Sequence, residues 1–385
     1  MRPCTIRWVL GLAVVAGAGA CRTGPYWGDG AGDPAGPKAS SGPNGSNPGA
    51  TDADGGMLGG HPTAAPTLLA SDPDGIVSIA IGGANVFFST GYHGSLPGLL
   101  KTVPVGGGPM TTFASPGGPL VVDSANVYWT TPSDGAMTCP LRGCAGAPTH
   151  LGSGTGPIAV DRTYIYAGTF DGQGIVRTPL AGGDGGTTPA MLGSGGDGVA
   201  SNIAVDGASV FWVARDNLGL FDVMKIPLSG WGGQPTRISP DGGGRGEYLW
   251  AGSLAVVGPN VFYAGEKLAG GGGVLRLPAA SNGDTPPTVI FNVVDFRSAP
   301  IACDGTNVYW FDQDWQTPSQ VQASLLTCRV SGCTGFPTVL VQGTSGVAIA
   351  TDAANVYWST PAGVRVGSYD AAPSVSQLLS VPKPR

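Results

Sequence analysis

Asn307-Val308-Tyr309-Trp310 is one of a set of near-identical tetrads spread along the chain. The pattern also stands at Asn85-Val86-Phe87-Phe88, Asn126-Val127-Tyr128-Trp129, Asn260-Val261-Phe262-Tyr263 and Asn355-Val356-Tyr357-Trp358. Two weaker copies, Tyr164-Ile165-Tyr166-Ala167 and Ser209-Val210-Phe211-Trp212, bring the set to seven. Their last residues fall at 88, 129, 167, 212, 263, 310 and 358. A unit recurring about every 40–50 residues is the mark of a repeat architecture.

Each unit carries signals for four short strands. A small apolar strand ending in Asp precedes the tetrad, as in Leu120-Val121-Val122-Asp123 and Ile301-Ala302-Cys303-Asp304. A stretch closing on proline follows it, as in Val223-Met224-Lys225-Ile226-Pro227. A last strand begins after a turn, as in Pro148-Thr149-His150-Leu151. Four short strands bounded by turn residues and repeated seven times predict an all-β, seven-bladed β-propeller of four-stranded antiparallel blades over 66–385. Helical and leucine-rich solenoids have helices or a shorter period, and sandwiches lack strict internal repetition. In a propeller both faces of an inner strand are buried, so alternation gives way to a continuous apolar run. Val127 and Trp129 are expected on one face and Tyr128 on the other, wedging successive blades together. The recurring Asp123, Asp161, Asp206, Asp304 and Asp352 read as turn residues that bond nearby amides rather than as a metal-binding ring. One strand is surplus: Pro66-Thr67-Leu68-Leu69 and Val375-Ser376-Gln377-Leu378-Leu379 both read as outermost strands.

The chain has 67 glycines and 34 prolines, with 42% of residues hydrophobic and 11% charged. Ordinary soluble domains are about 25% charged. Apolar residues recur in register, so the glycines mark turns between strands. Net charge is −6 and no Lys/Arg cluster occurs, which excludes nucleic acid as a partner because phosphates are held by concentrated positive charge.

The first 20 residues read as a signal peptide. Arg2 and Arg7 precede an apolar run over 8–20, too short to span a bilayer core of about 30 Å. Ala18-Gly19-Ala20-Cys21 resembles the lipobox of bacterial lipoproteins, with Ala18 in place of the usual Leu; the alternative is ordinary cleavage after an Ala-x-Ala-like site. The resemblance implies lipidation at Cys21 and, with Arg22 next in place of an Asp retention signal, anchoring at the outer membrane. Residues 21–65 hold almost no large apolar side chains and are expected to form a flexible, disordered linker.

Tyr128-Trp129-Thr130-Thr131, Tyr309-Trp310-Phe311-Asp312 and Tyr357-Trp358-Ser359-Thr360 resemble the YWTD motif of propellers in lipoprotein-receptor ectodomains. The terminal Asp survives only as Asp312, and those propellers have six blades. The whole arrangement is similar to Gly-rich propeller lipoproteins of Gram-negative bacteria, which implies a fold and a place in the cell envelope but no activity.

Cys139 and Cys144, and likewise Cys328 and Cys333, fall at matching points of the second and sixth units. Both pairs are expected to form disulfides across a strand turn, consistent with export. Cys303 aligns with Val122 and Val205 and reads as a core thiol. Three histidines, His61, His93 and His150, make a His-assisted nucleophile a poor expectation. No metal and no cofactor are expected.

Binding residues are sought on the loops between second and third strands, which share a face with the crossovers between blades. They are Tyr92 and His93; Phe170 and Asp171; Arg215, Asp216 and Asn217; Glu266; and Asp312, Asp314 and Trp315. The crossover around 239–253 adds Glu247, Tyr248 and Trp250. The expectation is a monomeric binding or scaffold module for a protein or a cell-envelope glycan. The alternative is a propeller lyase, glycosidase or quinoprotein enzyme working over the central channel.

Overall fold

The computed structural model describes residues 64–91, 98–169, 174–181, 198–215, 221–230, 233–240, 248–267, 272–293, 300–312, 323–333, 335–361 and 375–384. The expected signal peptide and Cys21 fall outside these residues.

The chain opens with β1 (Thr67–Asp72). Blade 1 follows as β2 (Ile76–Gly82), β3 (Asn85–Thr90), β4 (Leu100–Pro104) and β5 (Thr111–Ala114). Blade 2 is β6 (Leu120–Val122), β7 (Asn126–Thr131), β8 (Gly135–Pro140) and β9 (Thr149–Gly152). Blade 3 shows β10 (Ile158–Val160), β11 (Tyr164–Gly168) and β12 (Ile175–Pro179) among the described residues. Blade 4 is β13 (Gly198–Val205), β14 (Ser209–Arg215), β15 (Phe221–Pro227) and β16 (Thr236–Arg237). Blade 5 is β17 (Tyr248–Val257), β18 (Asn260–Lys267), β19 (Gly272–Pro278) and β20 (Thr288–Val293). Blade 6 is β21 (Ile301–Cys303), β22 (Asn307–Asp312), β23 (Ser324–Arg329) and β24 (Thr338–Gln342). Blade 7 supplies β25 (Ala348–Thr351), β26 (Asn355–Ser359) and β27 (Ser376–Pro382), and β1 returns to complete it. Every pairing is antiparallel, and a single bridge from Phe221 to Tyr248 joins blades 4 and 5 without merging them. The first strands of successive blades touch one another in order, and β25 touches β2. The protein is a seven-bladed β-propeller.

Each tetrad opens the second strand of its blade, and its residues divide between two interfaces. Val127 and Trp129 pack with Phe87 and Leu100 of blade 1, whereas Tyr128 packs with Ile158 and Ile165 of blade 3. The same division repeats around the ring. Tyr166 meets Val210 and Trp212, Phe211 meets Val261 and Tyr263, and Tyr357 meets Val86 and Phe88. Three tetrad tryptophans face an aromatic ring of the preceding blade: Trp129 against Phe113 at 6.5 Å, Trp310 against Phe291 at 5.9 Å and Trp358 against Phe311 at 6.4 Å. Such tilted and edge-on pairs add to the area buried.

The apparent surplus of strands resolves in blade 7. Both segments belong to it, but Ser376–Leu379 lies in β27, the third strand, and not in an outermost one. β27 ends on Pro382, as the third strands of blades 1 to 5 end on Pro104, Pro140, Pro179, Pro227 and Pro278. β1 is the outermost strand, pairing Thr67 with Ser380 and Asp72 with Ser376. The closing blade is tied to both neighbours by ion pairs. Lys101 Nζ of blade 1 meets the fully buried Asp72 at 2.5 Å, and Lys383 Nζ reaches Asp304 of blade 6 at 2.6 Å.

Cys139 and Cys144 form one disulfide and Cys328 and Cys333 another, with Cα separations of 5.2 and 5.1 Å, each across the turn after a third strand. The second closed turn also accepts an inter-blade bond, from Arg276 Nη1 of blade 5 to the Val330 carbonyl at 3.0 Å.

Trp310 is fully buried between blades 5 and 6. Replacing it with Ala should lower the unfolding free energy by about 3–5 kcal/mol. Urea denaturation measures this, and an unchanged midpoint would contradict the wedge role.

Candidate functional site

The two faces of the ring are built differently. First and second strands are joined by minimal turns. Five of these use the recurring aspartates as the sequence suggests: Asp123 Oδ1 accepts from the amides of Ala125 and Asn126, both at 2.7 Å. Asp161, Asp206, Asp304 and Asp352 repeat the arrangement. In four blades the second carboxylate oxygen also accepts from the tetrad tyrosine, at 2.8 Å from Tyr128, 2.7 Å from Tyr166 and Tyr309, and 2.6 Å from Tyr357. Sequence reading missed this latch, although Asp and Tyr stand five residues apart in all four blades. Blade 1 has Gly82 at the Asp position, where a Cβ would lie 2.5 Å from Val122 and 2.7 Å from Leu141, and its tetrad has Phe87 instead of Tyr.

Electrostatics follow from the latch. Burial, reinforced by the Asp bond, pushes the phenols of Tyr128 and Tyr357 up to about 12. Tyr166 and Tyr309 are raised for the same reasons. Burial opposes the Asp304 charge, but Lys383, the Asn307 amide, Tyr309 and the Thr306 amide outweigh it and hold the carboxyl at about 2. Cys303 is partly buried, and burial followed by the Asp304 charge pushes its thiol far up.

On the opposite face the second-to-third strand connections range from 132–134 in blade 2 to 91–99 in blade 1, 313–323 in blade 6 and 360–375 in blade 7, while third-to-fourth strand connections such as 141–148 and 279–287 share the face of the Asp turns. Of the candidate binding residues, Tyr92, His93, Phe170, Asp171, Asp216, Asn217, Glu247, Asp314 and Trp315 lie outside the described residues. The others sit on strands rather than on the expected loops and crossover. Arg215 ends β14, Tyr248 and Trp250 open β17, Glu266 lies near the end of β18, and Asp312 ends β22. The ladder pairs Arg215 with Phe221, Phe221 with Tyr248, and Trp250 with Glu266. Strand β17 starts early because β18 runs on to Lys267 and gives it a partner. The backbone thus brings Arg215, Tyr248, Trp250 and Glu266 to the loop-side ends of blades 4 and 5, while Asp312 stands apart in blade 6.

Blade 2 differs, because only 132–134 join β7 to β8. Asp134 donates its amide to Thr131 Oγ1 at 2.9 Å, closing the hairpin, and Gly135 follows at φ 70°. Beside this short hairpin opens a cleft of about 620 Å³, lined by Pro132, Asp134, Met137, His150, Ser153 and Thr155 among others. That volume is within the range of small-ligand sites. Sequence reading noted His150 only as a strand residue and did not pick out Asp134. The one available signal was the brevity of the second-to-third strand connection. Among the described residues no three His, Cys, Asp or Glu side chains gather to hold a metal ion.

No protein-family model and no curated protein matches the chain in sequence. Solved structures similar to it are propellers of low identity. BamB from Moraxella catarrhalis is 12% identical with a TM-score of 0.42, over 79% of this chain and 82% of that one. Puromycin hydrolase is 12% identical with a TM-score of 0.49, over 74% of this chain and 50% of that one. Putative TolB from Agrobacterium tumefaciens is 14% identical with a TM-score of 0.39, over 58% and 74%. Likeness at this level assigns no activity.

The shifted groups give stability a pH window. Tyr128 and Tyr357 are raised from 10.0, so their contribution is complete below pH 10 and is lost as pH rises toward 12. Asp304 is lowered from 3.8, so its contribution is complete above about pH 4 and is lost as pH falls toward 2. Phenolate absorbance and urea midpoints across pH test both limbs. A free phenol is about nine-tenths ionised at pH 11, so folded protein with nearly all its phenolate formed at pH 11 would refute the latch.

Proposed function

We propose that the chain is an envelope-anchored propeller acting as a binding or scaffold module, which presents its loop face to a protein or glycan partner. The observation that carries this reading is that the two longest connections between described strands of one blade, 313–323 and 360–375, both open on the face opposite the Asp turns. Loops varied on a rigid scaffold are a common way to build a recognition surface. Tyr92, His93, Phe170, Asp171, Asp216, Asn217, Glu247, Asp314 and Trp315 are the proposed loop contributors, together with Arg215, Tyr248, Trp250, Glu266 and Asp312 near strand ends. Two disulfides suit an oxidising compartment outside the cytoplasm. Lipidation of Cys21 after removal of residues 1–20, with 22–65 as tether, would place the body at the outer membrane. Binding rather than reaction is favoured by the inner strands, which are aliphatic at matched positions from Leu120-Val121-Val122 to Ile203-Ala204-Val205. A propeller enzyme needs acids, bases or arginines converging over the channel.

Two outcomes are expected. Metabolic labelling with palmitate should mark the wild-type chain and not Cys21→Ala; equal labelling would remove the anchor. Affinity capture from envelope extracts should retain a partner that is lost on Trp315→Ala or Tyr92→Ala and kept on Ser124→Gly in an opposite-face turn. The reverse pattern would assign recognition to the wrong face.

A further inference from the structure

We propose that the blade 2 cleft is a saccharide-binding subsite, fitted to a neutral, hydroxyl-rich glycan. The proposal deepens the binding-module reading and rests on it. Its argument is the polar inventory of the cleft. Asp134 Oδ2 accepts from Ser133 Oγ at 2.7 Å and Thr131 Oγ1 at 3.3 Å, which holds the carboxylate in place. Its Oδ1 has no partner among the described residues. His150 is exposed on β9, and its ring makes no hydrogen bond to them. Ser153 is exposed beside it, and its hydroxyl makes no hydrogen bond to the described residues. Met137 stands directly across the ladder from His150, so the two side chains share one face of the sheet.

The cleft therefore combines a fixed acceptor, an imidazole that both donates and accepts, the Ser153 hydroxyl that does the same, and an apolar thioether beside them. Adjacent sugar hydroxyls are donors and acceptors at once, and a sugar ring also has a C–H face to lay on Met137 and Pro132. Other ligand classes fit less well. No Lys or Arg lines the cleft to hold a phosphate, and one carboxylate with one imidazole falls short of the ligand count of a metal site. The short 132–134 hairpin leaves the cleft accessible at the loop face, where a long polymer could continue over neighbouring blades.

The test uses the full chain with 13C-methyl methionine, the Met137 signal being assigned through Met137→Leu. Chitotetraose and cellotetraose are titrated as neutral probes. Saturable shifts of the Met137 methyl are expected, with Kd of about a millimolar, an affinity near 4 kcal/mol. Asp134→Asn and His150→Ala should each weaken binding by about tenfold with unchanged thermal midpoints, since both side chains are exposed. The proposal is overturned if neither sugar moves the Met137 signal. Equal binding by both variants also overturns it. So does a lysine-rich peptide that shifts Met137 through Asp134 while the sugars stay inert. If partner capture on the loop face persists while these titrations fail, only the saccharide assignment falls. If both fail, the binding-module reading falls with it.

Discussion

The burial of tetrad side chains on both faces of each second strand is the constraint from which the rest of this ring follows. A sheet packed on one side alone needs apolar residues at alternate positions. Here Val127 and Trp129 satisfy one interface and Tyr128 the next, so every blade depends on two others for its core. No blade can bury both of its faces without its neighbours. A closed circle is the arrangement that gives each blade two neighbours and leaves no interface unpaired.

Polar chemistry is arranged around that requirement. A tyrosine pointing into an apolar interface needs a partner for its hydroxyl. The turn aspartate supplies one in four blades while bonding two backbone amides with its other oxygen. Where the tetrad has phenylalanine, the acid is dispensable: blade 1 has Gly82 and blade 5 has Val257 at that position, though blade 4 keeps Asp206. Few charges are present, and two inter-blade ion pairs flank the blade in which β1 pairs with β27.

Much of this could be read from the residues because the repeats sample one local problem seven times. The tetrads, the Asp turns and the disulfide turns each recur with the same spacing, and the structure places them as that recurrence implies. Strand ends were less legible. Tyr248, Trp250 and Arg215 lie where a strand continues as long as its neighbour offers backbone partners, and that depends on a pairing remote in sequence. The role of β27 was available in principle from Val381-Pro382, but its long connection from β26 obscured the unit. The cleft had no residue signature, since it arises where a connection is short rather than where a motif is present.

The pairing of β1 with β27 has a consequence for biogenesis. The first strand to leave the ribosome stays an unmatched ribbon until nearly the entire polypeptide has followed it, and closing so long a loop is entropically costly and slow. A product that stops short of Ser376 would therefore display two orphan edges, one at each end, of the kind that templates aggregation. The seam thus works as a ruler. Only a chain that includes Ser376–Pro382 can mate Thr67–Asp72, and one that lacks this strand keeps both edges unpaired.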